Sequence, residues 1–167
     1  LTLGPGMEEG SDIGPLISAK ERDKVHALVT EARDAGATAV TGGEMRDGPG
    51  YFYRPTVLSG VAADSPIMIT EIFGPVAPIT TFRDEEEVVE QANAVDVGLS
   101  SYVFTKDLSR VLRLSERMEV GIIGVNTGIV SNAAAPFGGI KHSGMGREGG
   151  TEGIEEFLET VYVGLPA

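Results

Sequence analysis

Three segments with helix-start signals alternate with short apolar runs, and this alternation constrains the fold of the chain more than any other feature. Residues 18–36 begin with Ser18 as a plausible N-cap, and Glu21 follows at the capping-box spacing before an apolar helix face. Asp84 precedes a second helix with an acidic first turn, and Asp107 precedes a third. The chain is therefore predicted to contain three capped, amphipathic helices.

The apolar runs that flank these helices are predicted strands. They lie at residues 37–43, 51–58, 78–82, 100–106 and 119–126, and the first and last are predicted to be buried. Strands that alternate with helices imply crossover units, so the predicted fold class is α/β, a mainly parallel sheet with crossover helices. A short helix and a final strand at 159–163 are predicted after these elements. A terminal strand without a following partner often adds to another sheet, including one in a second subunit.

Composition excludes several classes of function. The chain of 167 residues has a net charge of −12, which argues against nucleic acid and anionic membranes as main partners. No apolar run is long enough to span a bilayer. The absence of cysteine excludes disulfides, thiolate metal sites and a cysteine nucleophile within the chain, and is compatible with the cytoplasmic location that we expect. The start, LTLGPGMEEG, lacks an initiator Met, which fits a truncated chain and ordinary processing equally well.

A glycine-rich segment, GMGREG at 144–149, fits the G-x-G-x-x-G pattern of dinucleotide-binding loops. That pattern requires a buried strand before it and a helix of a βαβ unit after it, and the sequence offers neither. We interpret the segment as a structured loop that needs positive φ or close backbone approach. Lys141 lies just before this loop and Arg147 lies within it. Each could contact an anion, but a solvated surface position is the expectation for both.

Five further residues are candidates for a functional site. His26 and His142 have no second ligand at metal-binding spacing, so both are expected in surface or packing roles and no metal site is predicted. Ser131 lacks the G-x-S-x-G context of a serine nucleophile, but as a hydrogen-bond donor after a parallel strand it is well placed for a ligand. Asn126 is expected to fix a loop. Phe137 is expected either in the core or as the wall of a pocket.

Glu71 is the single charge in the run SPIMITEIFGPVAPITTF at 65–82. A buried, unpaired carboxylate is costly, so Glu71 is expected either to have partners or to mark a site. Partners would be backbone N–H groups or an arginine, whereas a site would use the carboxylate to accept hydrogen bonds from ligand hydroxyls, such as those of a ribose. Phe73 is predicted on the same side of an extended segment, before a turn at Gly74-Pro75. A cofactor with a ribose and a flat ring would fit this pair.

The segment TEIFGPV at 70–76 closely resembles the E-x-F-G-P signature of NAD(P)-dependent aldehyde dehydrogenases. Further motifs follow in the order of that family: IGPLIS, GYFYRPTVL, YVFTKDLSR, VGIIGVN and PFGGIKHSGMGREGG. The resemblance covers essentially the whole chain and implies the C-terminal third of a family member. It implies that 1–150 form the later part of the catalytic domain and that 151–167 form a terminal helix and the strand of an oligomerisation arm.

The family reaction gives the site residues their expected roles. In it, a cysteine thiolate adds to the aldehyde, hydride passes to the nicotinamide, and water activated by a glutamate releases the acid. By resemblance, Glu71 would bind the hydroxyls of the nicotinamide ribose, Phe73 would pack beside the nicotinamide, and Phe137 would line the aldehyde tunnel. The catalytic cysteine and glutamate belong upstream of this segment, so no catalytic residue is assigned here. The cofactor is expected to be NAD or NADP, and the chain alone is expected to be inactive.

The segment VNTGIVSNAAAPFGG and the later YVGL are most similar to the succinate-semialdehyde dehydrogenases of this family. In that group, the serine that matches Ser131 helps to hold the distal carboxylate of the substrate, together with arginines upstream. Glutarate semialdehyde and short aliphatic aldehydes remain open as substrates. A homo-oligomer formed through the C-terminal strand is expected. The alternative is a non-catalytic module that joins full-length subunits through the same strand.

Overall fold

The computed structural model describes residues 1–166, and the chain divides into two compact units, Leu1–Phe82 and Arg83–Ala167. Both units mix helices with short strands. None of the helices in the described part of the chain combines the length and the apolar character that crossing a membrane requires.

The first unit is built around one long helix. Its elements are α1 (Ala19–Asp34), β1 (Thr38–Thr41), β2 (Thr56–Ser59), α2 (Pro66–Ile69) and β3 (Val76–Pro78). Ser18 caps α1, because its side chain accepts a hydrogen bond from the N–H of Glu21 at 3.2 Å. Val25 and Val29 on the inner face of α1 are fully buried. The predicted helix, its cap and its apolar face are confirmed.

The sheet of the first unit has the order β1-β2-β3 and is mixed. β2 and β3 pair in parallel, but β1 and β2 pair antiparallel. The prediction of a mainly parallel sheet is therefore wrong. The connection from β1 to β2 contains a glycine-rich loop and no crossover helix, so the chain returns antiparallel. β1 is also mostly exposed rather than buried.

The core of this unit lies between α1, α2 and the sheet. Its buried members are Val25, Val29, Ala32, Tyr53, Leu58, Val61 and Ile67. The Tyr53 hydroxyl lies 3.3 Å from Nδ1 of His26, which gives His26 the packing role that was expected. Burial raises the pKa of Tyr53 to about 12, because the phenolate would lose its hydration.

The second unit contains more and shorter elements. They are α3 (Glu85–Asn93), β4 (Val97–Gly98), β5 (Ser100–Val103), α4 (Leu108–Arg117), β6 (Ile122–Val125), β7 (Ile140–Lys141) and α5 (Glu152–Glu155). β5 and β6 pair in parallel across α4, so the crossover prediction is confirmed for this pair. β4 and β7 pair antiparallel. Among the described residues, the sheets of both units are thus small and mixed.

Helices α3 and α4 are joined by ion pairs. The Glu85 carboxylate accepts hydrogen bonds from Arg113 at 2.8 Å and from Arg110 at 3.1 Å. Arg117 donates to Glu86 at 2.6 Å. The hydrogen bonds from Arg113, followed by those from Arg110, lower the pKa of Glu85 to about 2. Both predicted caps are confirmed, because Asp84 and Asp107 each accept a backbone hydrogen bond at the start of their helix.

The C-terminal segment follows α5 without regular structure. Residues 159–163, predicted as a strand, form none in the described chain. Strands are defined by backbone pairing, and no other strand of this chain pairs with the segment. Within this chain the segment is unpaired and carries exposed apolar side chains, among them Phe157, Val161 and Leu165, and its pairing with a second subunit stays a prediction.

Candidate active site

The turn that carries Glu71 and Phe73 lies in the first unit, between α2 and β3. It is held against α1 at Gly74, where an added Cβ would lie only 2.8 Å from Cγ2 of Val25. The N–H of Val76 donates to the carbonyl of Gly74 at 2.8 Å and tightens the exit from the turn. The glycine of the motif is thus required by close packing, and this packing fixes where the turn stands.

Phe73 has an unusual conformation for an aromatic residue. Its φ is +40°, in the left-handed region that bulky side chains rarely adopt, and its side chain is 71% exposed. Such backbone strain costs on the order of 1–3 kcal/mol and concentrates at ligand-binding sites. The turn is therefore strained in a way that lowers the stability of the fold, and in this conformation the aromatic ring of Phe73 is exposed.

Glu71 is exposed, not buried, so the expectation that its apolar surroundings enclose it is wrong for this chain. The apolar run of 65–82 is divided among α2, the turn and β3, and Glu71 falls in the turn. Within residues 1–166, its carboxylate makes no hydrogen bond and no ion pair, so the predicted partner among backbone N–H groups or arginines is not found. Both acceptor oxygens are available to an external group.

Phe137 lies in the second unit, where it starts a two-residue antiparallel bridge. Its N–H and carbonyl exchange hydrogen bonds of 2.7 Å with the backbone of Glu148. The side chain is half-buried and lines an open concave surface. Leu99, Met145 and Phe157 lie on the same surface, together with glycines and with polar and charged residues such as Arg147 and Glu156. Phe137 thus lies neither in the core of the unit nor fully in solvent, but in the wall of a depression.

Ser131 is exposed in the loop that follows β6. Asn126 fixes the start of this loop in a left-handed conformation, with φ +53°. Its side chain accepts from the N–H of Thr105 and donates to the carbonyl of Thr105, both at 2.9 Å. Asn132 fixes the next turn by accepting from the N–H of Ala134 at 2.9 Å. Ser131 therefore stands between two side-chain-stabilised turns, and the expected loop-fixing role of Asn126 agrees with its hydrogen bonds.

The four predicted site residues fall into two pairs. Glu71 and Phe73 share one turn of the first unit. Ser131 and Phe137 share one loop region of the second unit, six residues apart in sequence. Each pair combines one polar group that can hydrogen-bond a ligand with one aromatic ring, which is the usual make-up of a small-molecule site.

Comparison with known proteins decides the family. Residues 1–163 match the sequence profile of the Aldehyde dehydrogenase family. The chain belongs to the aldehyde dehydrogenase family. The resemblance carried by TEIFGPV and the motifs around it is thereby confirmed.

Individual relatives agree with this assignment. A succinate-semialdehyde dehydrogenase of Paenarthrobacter nicotinovorans is 55% identical over 165 residues, 99% of this chain and 37% of the relative. The NADP(+) succinate-semialdehyde dehydrogenase of Escherichia coli (strain K12) is 47% identical over 98% of this chain and 34% of the relative. The solved NAD+ complex of an aldehyde dehydrogenase from Bacillus cereus matches with a TM-score of 0.90 and 38% identity, over 95% of this chain and 32% of that one. The chain spans about a third of the length of these relatives.

Two cations of this aldehyde dehydrogenase chain have roles that the sequence did not indicate. Lys141, expected as solvated, donates from Nζ to the carbonyls of Asn93 at 2.7 Å and Val95 at 3.0 Å, and pairs with Glu119. Its φ is +54°, so the backbone of Lys141 is strained, like that of Phe73. Lys141 joins the glycine-rich loop to the C-terminus of α3, where a cation also complements the helix dipole.

Arg147 binds the loop from the other end. Its Nη1 donates to the carbonyl of Gly146 at 2.7 Å and to the carbonyl of Gly139 at 2.9 Å. The roles of Lys141 and Arg147 in holding the loop could not be predicted from composition, because a cation beside glycines is equally typical of an exposed anion contact. The one available signal is the density of glycines, which leaves many carbonyls accessible to a long side chain.

The segment GMGREG has the conformation of a loop. Gly144, Gly146 and Gly149 have φ values of +113°, +79° and +67°. These positive angles explain why glycine stands at the three positions, as predicted. The strand before the segment, β7, has two residues and the helix after it, α5, has four, so a dinucleotide-binding βαβ unit is not formed here. His142 is exposed, and no group of three or more His, Cys, Asp or Glu side chains in residues 1–166 is arranged to hold a metal ion.

Proposed function

We propose that this chain is the C-terminal part of an NAD(P)-dependent aldehyde dehydrogenase that oxidises the semialdehyde of a dicarboxylic acid, with succinate semialdehyde as the first candidate. The supporting observation is the 55% identity to a protein named succinate-semialdehyde dehydrogenase, over 99% of this chain. In this proposal, 1–150 belong to the catalytic domain and 151–167 to the oligomerisation arm. A cytoplasmic location remains a prediction.

Glu71 and Phe73 are proposed to bind the cofactor. Within residues 1–166 the carboxylate oxygens of Glu71 have no partner, so they can accept hydrogen bonds from ribose hydroxyls. The exposed ring of Phe73 offers a flat apolar face that suits a nicotinamide. The cofactor, when bound, would supply the hydride acceptor. The task of these two residues is to hold its ring in place, where small displacements are costly in rate.

Ser131 and Phe137 are proposed to bind the aldehyde. The hydroxyl of Ser131 can donate a hydrogen bond to the distal carboxylate of a semialdehyde. The ring of Phe137 offers an apolar face on this depression that suits the methylene chain of such a substrate. The thiol nucleophile of the reaction would come from outside these 167 residues, since they contain no cysteine. NAD and NADP both remain open, as do glutarate semialdehyde and short aliphatic aldehydes.

The test is an aldehyde panel on the full-length protein that contains this chain. Succinate semialdehyde and glutarate semialdehyde would be compared with butyraldehyde, each with NAD+ and with NADP+. We expect kcat/KM for succinate semialdehyde to exceed that for butyraldehyde by about 100-fold, because a charged hydrogen bond contributes about 1.5–3 kcal/mol. Equal values would reject the assigned role of Ser131. No NAD(P)H formation with any aldehyde would reject the proposed activity.

A second candidate is a non-catalytic module that joins other subunits through its C-terminal segment. It is favoured by the exposed apolar side chains of Phe157, Val161 and Tyr162, which have no partner strand in the described chain. Size measurement of the 167-residue chain, alone and mixed with a full-length subunit, tests it. A mixed species at micromolar concentration supports this candidate, and its absence counts against it.

A further inference from the structure

Phe137 is held by a backbone framework that depends on one side chain. From its bridge with Glu148, the chain runs through two glycines into β7. Gly139 is buried, and its carbonyl would be a costly group to leave without a hydrogen bond. Arg147 satisfies it from Nη1 at 2.9 Å.

Arg147 reaches this carbonyl by lying across Gly138. A Cβ at Gly138 would lie 2.8 Å from Cδ of Arg147 and 2.7 Å from the carbonyl oxygen of Gly146. Any larger residue at position 138 would therefore displace the arginine side chain. Gly138 is explained by the close approach of the Gly146 carbonyl and of the Arg147 side chain, rather than by its own backbone angle.

The opposite side of the segment is closed by Gly121, at the entry to β6. A Cβ at Gly121 would overlap the carbonyl of Gly138, at 1.9 Å. The backbone that follows Phe137 is thus enclosed between the start of β6 and the arginine side chain. Loss of the arginine would open one side of this enclosure and leave the other in place.

The backbone of Arg147 is itself anchored. Its N–H donates to Oε1 of Glu156 at 3.2 Å, and the carboxylate of Glu156 lies where a Cβ at Gly146 would be placed. The same arginine precedes Glu148, the bridge partner of Phe137. One residue therefore connects both strands of the bridge, through its side chain to Gly139 and through its main chain to Glu148.

We infer that Arg147 is a positioning residue for the aldehyde, which acts by holding the Phe137 segment at the wall of the substrate depression. The inference rests on the proposed function, because Phe137 is the group through which Arg147 acts. Arginine suits this task better than lysine, because its planar guanidinium stays charged and holds its donors in a fixed geometry. The substrate affected is the aldehyde and not the nicotinamide cofactor.

The test is a double-mutant cycle in the full-length protein, with Arg147→Met, Phe137→Ala and the double variant. We expect Arg147→Met to lower kcat/KM for the preferred semialdehyde roughly 10- to 100-fold, since misplacement of positioning groups has effects of this size. In the Phe137→Ala background, the same change should cost about 2-fold or less, because the group that it positions is already absent. KM for NAD(P)+ should stay within about 2-fold throughout, on the same reasoning.

Arg147→Lys and Arg83→Met are the matched variants. Lysine retains the charge and one donor and should recover part of the lost kcat/KM. Arg83 is a surface arginine of the same unit that pairs with Glu87, so its loss should leave aldehyde kinetics unchanged. Hydrogen exchange of the peptide spanning 136–150 should rise in Arg147→Met and not in Arg83→Met, while peptides of α3 and α4 stay protected.

The outcomes separate the two proposals. If the wild-type protein is active and Arg147→Met lowers kcat/KM by the same factor in the wild-type and Phe137→Ala backgrounds, the positioning role is overturned. Unchanged hydrogen exchange of 136–150 in Arg147→Met would overturn it on structural grounds, whether or not Arg147→Lys restores activity. A wild-type protein without activity on any aldehyde would instead reject the proposed function, and the exchange data would still decide whether Arg147 holds the loop.

Discussion

The two units of this chain are stabilised by different kinds of interaction. The first buries seven apolar side chains in one cluster around α1. In the second, Val89 and Leu114 are the large apolar side chains found buried among the described residues. Its elements are connected instead by the ion pairs of α3 and α4 and by side chains that bind loop carbonyls.

This difference has an energetic consequence. Full burial of a Val, Leu or Ile side chain contributes about 1.5–3 kcal/mol, whereas an exposed ion pair contributes about 0–1 kcal/mol. The first unit therefore gains more of its stability from apolar burial than the second unit does. The second leaves Phe104, Leu108 and Ile129 exposed, and we expect these to be covered in the longer protein that we propose. The proposed substrate loop thus lies in the unit that has the smaller core.

The largest expected effect is on the core of the first unit. Leu58 is fully buried, so Leu58→Ala should lower the free energy of unfolding by about 2–5 kcal/mol. The matched control is Leu112→Ala on α4 of the second unit, where the side chain is 60% exposed and the expected change is about 0.5 kcal/mol or less. Urea denaturation followed by circular dichroism measures both. Equal costs would show that the burial of Leu58 does not contribute to stability as stated.

A smaller effect is expected from a loop side chain of the second unit. Asn126→Ala removes both hydrogen bonds to Thr105 and places alanine at φ +53°, so it should cost about 2 kcal/mol. Asn126→Gly removes the same hydrogen bonds but tolerates the backbone angle, and should cost about 1 kcal/mol less. The order of the two unfolding midpoints separates strain from hydrogen bonding. Midpoints equal to wild type for both variants would contradict the importance of polar contacts in this unit.

The smallest effect is a pH dependence of the second unit. The hydrogen bond from Arg113 is the main cause that lowers the folded-state pKa of Glu85 from its ordinary value of 4.5 to about 2. Stability from a lowered pKa is present above the unfolded pKa and is lost as pH falls from about 4.5 towards 2. Wild type should therefore lose stability more steeply than Glu85→Gln in this window, as measured by thermal melts at successive pH values. Glu90→Gln, on the same helix, is the control, and a slope in Glu85→Gln as steep as that of wild type would refute the role of the ion pair.

Local signals explain which parts of the fold were predictable. Ser18, Asp84 and Asp107 identified three helix starts, because capping depends on a few neighbouring residues. The mixed sheets were not predictable in the same way, since pairing direction depends on connections that an apolar run does not specify. The exposure of Glu71 was not predicted, because the apolar residues next to it in sequence suggested that it is buried. Its exposure depends instead on where α2 ends and the turn begins.

The candidate site shows the same limit. The pattern E-x-F-G-P indicated Glu71 and Phe73, but nothing in it indicates that Phe73 has a positive φ, because this angle is normally signalled by glycine or asparagine. Lys141 and Arg147 were interpreted as surface cations, since their carbonyl partners come from folding of the loop. The residues proposed to contact a ligand are thus easier to predict than the residues that hold their loops in place.

The most direct test of the account is the cofactor kinetics of Glu71→Gln in the full-length protein, with the surface variant Asp64→Asn as control. We predict that kcat/KM for NAD(P)+ falls by roughly 10- to 100-fold, since hydrogen bonds to a charged group contribute about 1.5–3 kcal/mol. We also predict an unchanged unfolding midpoint, because the Glu71 carboxylate has no partner among the described residues. Cofactor kinetics equal to those of wild type and of Asp64→Asn would contradict the assignment of Glu71 to the cofactor site.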